Sequence, residues 1–216
     1  MTMIAHEDRQ AWYDLQVHTL LRLHPSWLAP LAAPLVIEAR NSPLGRRWLA
    51  NRLSAVCPVL LDIPRETGPA SAPALGQATW LRNVLQNPLE RALDLGSLAL
   101  ASTLRTMVTR SAVAQLRTLL GAERYQRILT AAEISRGNGP SPLEGASGHD
   151  LAERLARCGA AELASYATAV HPALGESVRL TFECSWWHPE PEAVLPPEVA
   201  ERCLRLQCER AGGSRE

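Results

Sequence analysis

The chain contains no lysine: all 22 of its basic residues are arginine, and 22 acidic residues balance them. The arginines are scattered, with Arg46-Arg47 the one adjacent pair, so no basic stripe is present to track a nucleic-acid backbone. No window approaches the roughly 18 consecutive apolar residues of a membrane-spanning helix. The opening MTMIAHEDRQAWYD turns polar at once and lacks the apolar run of a signal peptide. Glycine-rich phosphate loops, HExxH, G-x-S-x-G and paired-carboxylate motifs are missing, which removes the chemistries those motifs carry. Five cysteines, an odd number and widely spaced, fit free thiols in a reducing compartment better than a disulfide framework. The expectation is a soluble, intracellular protein with no cofactor, no bound metal, no nucleic-acid partner and no direct membrane insertion.

What the sequence does hold is helix. Residues 7–23 carry Trp12, Leu15, Leu20, Leu21 and Leu23, and the segment should stop at His24-Pro25 because a residue before proline is pushed out of helical angles. Pro25, Pro30 and Pro34 then leave room for short helical turns only. Ser42 is a good N-cap with Pro43 behind it, and Leu44, Trp48, Leu49, Leu53 and Val56 are read as one apolar face ending at Pro58. Residues 66–77 have loop composition. Asn87, Pro88 and Glu90 have the spacing of a capping box. Behind them Leu89, Leu93, Gly96, Leu100, Leu104 and Met107 make an inner stripe, with Arg91, Asp94, Ser102 and Arg105 assigned to solvent. SAVAQLRTLLG and a second helix carrying Tyr125, Ile128 and Leu129 follow, joined at Gly121. Residues 135–149 read as a linker, and Asp150 with Glu153 as a second capping box opening a helix that ends at His171-Pro172.

The period then changes. Val178, Leu180, Phe182, Cys184 and Trp186 alternate with Arg179, Thr181, Glu183 and Ser185, which predicts a half-buried strand over about 178–186. A strand needs a partner, and PVLLDI (58–63) is the candidate. A last helix starts near Pro197, and residues 211–216 should be a disordered tail. The fold class expected is mainly α: one compact helical domain over 1–210 with a minor β element near its C-terminus.

Cys184, His188, Cys203 and Cys208 crowd one stretch and raise the question of a metal site or a nucleophile with its base. Cys203 and Cys208 lie five apart on a helix, roughly 140° around its axis, so they cannot chelate one ion while the helix stands. Cys184 and His188 on one strand would be about 13 Å apart, beyond hydrogen-bond reach. The thiols are therefore read as small buried hydrophobes. The competing class is an enzyme whose Cys/His pair is assembled by the fold, with His149 or His171 supplying the imidazole. A third reading takes SAVAQLRTLLGAERYQRILTAAE as a DNA-binding helix-turn-helix using Arg124 and Arg127, against an internal helical hairpin, which the apolar first helix favours.

Taken together, LDLGSLALASTLRTMVTRSAVAQLRTLLGAERYQRIL resembles the central region of the SctK family (YscK/PscK-like), the sorting-platform adaptors of bacterial type III secretion systems. The features that match are Leu95-Gly96 in an apolar helix, Arg105 near its end, and Leu116 with Leu119 in the next helix. LHPSWL and RLTFECSW fall in similar places. The resemblance implies a non-enzymatic cytoplasmic scaffold, peripheral to the inner membrane through its partners. Those partners would be the cytoplasmic domain of the ring protein SctD and the pod protein SctQ. Strand alternation would turn Trp187 outward beside Arg179 and Glu183, making these three the candidate partner-binding residues unless the proline-rich segment or final helix covers the ring.

Overall fold

The computed structural model describes residues 2–61, 84–131, 143, 148–189 and 192–213, with side chains omitted for 2–9, 11, 148, 149 and 206–213. The described chain is mainly α, and no residue in it is assigned to a β-strand. It falls into two compact units, Met1–Gln86 with Ala164–Pro189, and Asn87–Leu163 with Glu190–Glu216.

The first unit begins with helix α1 (Thr2–Leu21), which buries Trp12, Leu15, Thr19 and Leu20. Two His-Pro steps organise its corners. His24 Nδ1 accepts the Ser26 amide and opens a 3-10 turn at Pro25–Leu28. His171 accepts the Ala173 amide and opens α9 (Pro172–Thr181). In both, proline occupies a first-turn position where a missing N–H costs nothing, so His-Pro starts an element as well as ending the one before it. Pro34 acts likewise: it lies in the first turn of α2 (Ala33–Asn41), a full helix where only short turns were expected. Ser42 caps α3 (Pro43–Leu53) by accepting the Gly45 amide, as its sequence position predicts. A Cβ on Gly45 would stand 2.1 Å from the Ala39 carbonyl oxygen, so glycine is what lets α2 and α3 meet this closely.

The predicted strand is not there. Residues 172–181 form α9, Phe182 leaves it in an extended conformation, and Cys184–Trp187 make a second 3-10 turn. The two-residue rhythm misled because α9 is buried around most of its circumference. Val178 and Leu180 lie roughly 160° apart on the helix yet are both inside, which over a short window mimics alternation. The proposed strand partner also fails: Pro58–Leu61 is a single helical turn, α4, and residues 62 and 63 lie outside the described residues, as does the 66–77 loop.

In the second unit the stripe expected as one helix is α5 (Pro88–Ala99) and α6 (Ala101–Thr106), broken where Leu100 leaves helical angles. Asn87 makes no side-chain cap, and Asp150 lies inside the helix that begins at Gly148, paired with Arg154 one turn on, so neither predicted capping box forms. Helix α7 (Arg110–Thr130) carries both predicted helices, kinked at Gly121 with φ 78° and ψ 161°, a conformation open almost solely to glycine. Helix α8 (Gly148–Val170) contributes its residues through Leu163 here. A Cβ on Gly96 would meet the Leu155 carbonyl oxygen at 2.0 Å, and one on Gly159 the Ala92 carbonyl oxygen at 1.6 Å. The two glycines thus let the α5 and α8 backbones touch. Leu100, Leu104, Leu116, Leu120, Ile128, Leu151 and Leu155 fill the core beside them. Helix α10 (Pro197–Gly213) continues beyond residue 211, where a frayed tail was expected, and buries Ala200, Cys203 and Leu204.

Candidate partner-binding surfaces

Trp187 and Arg179 do come together, but not as a surface anchor on a strand, and Glu183 stands apart from them. The 3-10 turn carries the Trp187 ring inward to 7% exposure, with the Arg179 guanidinium 5.5 Å from its centroid. Trp186, assigned inward by alternation, is the half-buried member of the pair and stacks on Phe182 at 5.4 Å. Glu183 is exposed and accepts the Ser185 hydroxyl at 2.6 Å. The turn is fixed from the other side by the Pro25–Leu28 turn. Trp27 Nε1 donates to the Phe182 carbonyl at 2.8 Å, and the Cys184 amide donates to Ser26 Oγ at 2.8 Å.

Two of the buried thiols have environments that disfavour the thiolate. Burial, and then the Glu176 carboxylate, push the Cys57 thiol up to about 12. Burial, and then Asp94, push Cys203 to about 11. A nucleophile needs the opposite shift. Cys158 is buried as well. His188 reaches Cys184 after all, because the chain turns there, but its Nδ1 lies 3.1 Å from the backbone carbonyl and not at the thiol. Among the described residues no group of three or more His, Cys, Asp or Glu is placed to hold a metal ion. Cys208 and His149 lie outside the described side chains.

Four carboxylates have roles that sequence reasoning did not give them. Asp94, assigned to solvent, is 2% exposed and accepts Arg124 Nε at 2.6 Å and Arg127 Nη2 at 3.1 Å. Glu90, not engaged in a cap, pairs with the same Arg124. Burial works against the Arg124 charge, but its hydrogen bonds to Asp94 and Glu90 outweigh it and raise its pKa. These groups line an open cleft of about 460 Å³ beside the Gly121 kink. The arginines that a DNA-reading helix would need are thus occupied by carboxylates of their own unit. Glu162, 1% exposed, accepts the Val194 and Leu195 amides at 2.8 and 2.9 Å. Glu176 accepts the Val59 and Leu60 amides at 3.3 and 2.7 Å. The available signal was a lone acid in an apolar run: Asp94 between Leu93 and Leu95, and Glu162 in Ala160-Ala161-Glu162-Leu163-Ala164.

The unit that holds Trp187 also exposes large apolar side chains elsewhere. The face predicted from Leu44 to Val56 splits in two. Leu49 and Leu53 are fully buried, whereas Leu44 is 81% exposed, Val56 50% and Trp48 41%. Arg52 lies over Trp48 at 5.2 Å. No helix among the described residues is long and apolar enough to cross a membrane.

Comparison with known proteins returns no match: no protein-family model, curated protein or solved structure is significantly similar to the chain.

Proposed function

We propose that this chain is a non-enzymatic adaptor of a bacterial type III secretion system, of the SctK kind, linking the cytoplasmic domain of the ring protein SctD to the pod protein SctQ. The observation that carries the reading is the ordered resemblance of residues 93–129, whose matching positions all have packing roles in one helical unit. Leu95 and Leu116 are buried and Leu119 packs against the same core. Gly96 admits the α8 backbone, and Arg105 ties the end of α6 to the Ala131 carbonyl at 3.1 Å. In such an adaptor these residues build the scaffold, and binding falls to side chains that the scaffold leaves outside. The exposed Leu44 and Trp48 meet that description. Raised thiol pKa values and arginines neutralised within the fold support an adaptor over the enzyme or DNA-binding alternatives. In this role the protein works in the cytoplasm, held near the inner membrane by its partners.

The test is co-expression of the tagged chain with the SctQ and SctD proteins encoded in the same genome. Recovery of a defined complex with each is the expected result. Recovery of neither, from protein shown to be folded, removes the reading.

A further inference from the structure

Helix α3 presents to solvent a face of uniform design. At about 100° per residue, Leu49 and Leu53 point to the core, and Leu44 and Trp48 lie together on the opposite side, one turn apart. Arg47 and Arg52, both exposed, edge this pair on either side, roughly 140° from each other around the axis. The Arg52 guanidinium rests over the Trp48 ring, so the two edges and the ridge form one surface. Residues 33–61 contain four arginines, at 40, 46, 47 and 52, against one acid, Glu38. Arg40 and Arg46 donate to the carbonyls of Leu23 and Arg40, which leaves Arg47 and Arg52 as the outward charge.

We infer that this face docks an amphipathic helix whose apolar ridge is edged by carboxylates. A ridge one residue wide with a cation on each side is the pattern of paired helices, where flanking charges choose the partner. Two copies of this chain meeting through the same face would oppose arginine to arginine, which disfavours self-association. An anionic membrane would satisfy the arginines, but an interfacial helix needs a broad apolar face. Here the other apolar residues of α3, Leu49 and Leu53, are turned to the core. Trp beside Arg is the composition of an interface hot spot. The inference rests on the adaptor reading only for the identity of the partner.

Two synthetic helical peptides with the same leucine ridge, one edged by glutamate and the other by arginine, test it against the full chain. Phosphatidylserine vesicles and sedimentation of the chain alone complete the set. The glutamate-edged peptide should bind at least about tenfold more tightly, and progressively less so as salt rises. Trp48→Ala should weaken that binding by about tenfold at unchanged melting temperature, and the double variant Arg47→Glu/Arg52→Glu should reverse the preference. Equal binding of the peptides, binding of neither, tighter binding to vesicles, or self-association abolished by Trp48→Ala would each overturn the inference. The same variants assayed on SctQ and the SctD domain separate the two proposals. Wild-type binding that survives both variants shows that the adaptor docks through another face. A chain that binds neither protein but keeps its peptide preference loses the adaptor reading and retains this surface.

Discussion

The two units use the same means of cohesion in different proportion. In the first, distant segments are pinned by side chains that bond to backbone: Trp27 to Phe182, Ser26 to Cys184, Gln16 to Leu60, and Glu176 to Val59 and Leu60. In the second, helices meet backbone to backbone at Gly96 and Gly159, and a buried carboxylate gathers two arginines. The first also has the close approach at Gly45, and the second also has Glu162 holding the Val194 and Leu195 amides. Among the described residues, most of the large exposed apolar side chains belong to the first unit: Tyr13, Leu21, Leu35, Ile37, Leu44, Trp48, Val56 and Val59. The first unit therefore carries more of the exposed apolar surface among the described residues.

The largest effect that would sharpen this contrast comes from the two tryptophans of the first unit. Trp187→Ala should cost about 3–5 kcal/mol, as for a buried aromatic, whereas Trp48→Ala should stay within about 0.5 kcal/mol. Urea titration of both variants checks it. Equal losses would erase the distinction between pinned core and open face. Next, Gly159→Ala should cost about 3 kcal/mol, because the new methyl meets a backbone carbonyl that no rotamer can move. Gly121→Ala meets nothing within 4 Å and should cost less, about 1 kcal/mol, through its positive φ alone. If both glycines behave alike, close helix contact is not what holds the second unit.

Removing the buried anion comes third. Asp94→Asn should cost about 2–3 kcal/mol, toward the low end for a broken buried pair, since Arg127 keeps 30% of its side chain in water. Glu90→Gln, on a side chain 56% exposed, should cost under about 1 kcal/mol. The smallest effect is on thiol titration. Cys57 and Cys203 have folded pKa values raised above the ordinary 9.0, to about 12 and about 11, so each favours the protonated fold. Their contribution to stability is complete below pH 9 and is lost as pH rises through that window. Unfolding followed at pH 8 and at pH 10.5 should show a loss that Cys57→Ala reduces. At pH 8, a thiol reagent should reach the half-buried Cys184 before Cys57, Cys158 or Cys203.

How well the sequence could be read follows the same division. Second-unit helices were legible in part from periodicity: Leu100, Leu104, Leu116 and Ile128 are core as the stripes predict, whereas Leu89, placed on the inner stripe, is 52% exposed. Helix α9 was not legible because its less buried arc, Pro172, Glu176 and Arg179, is narrow, and the buried arc is wide enough to hold both Val178 and Leu180. His171-Pro172 was seen as a stop, and its second role as cap and first-turn proline was missed. Leu44 and Trp48 were placed on the core face because pattern gives hydrophobicity and no direction, and only packing shows which arc of α3 turns inward. Asp94 was sent to solvent because its partners stand 30 and 33 residues later in the chain. No local window contains that information.

The Glu162 and Glu176 contacts constrain each pair of bonded positions unequally. Each carboxylate accepts two main-chain amides, so the receiving residue must be acidic and well placed, while the donors contribute nothing from their side chains. Substitution at 59, 194 or 195 is therefore constrained mainly against proline, which has no amide hydrogen to give, whereas Leu60 is also fixed by its fully buried side chain. Around the second pair, prolines already occupy 189, 191, 196 and 197. Val194 and Leu195 are thus among the few donors left in that segment, and the fold's memory of where it belongs is written in the glutamate across from it.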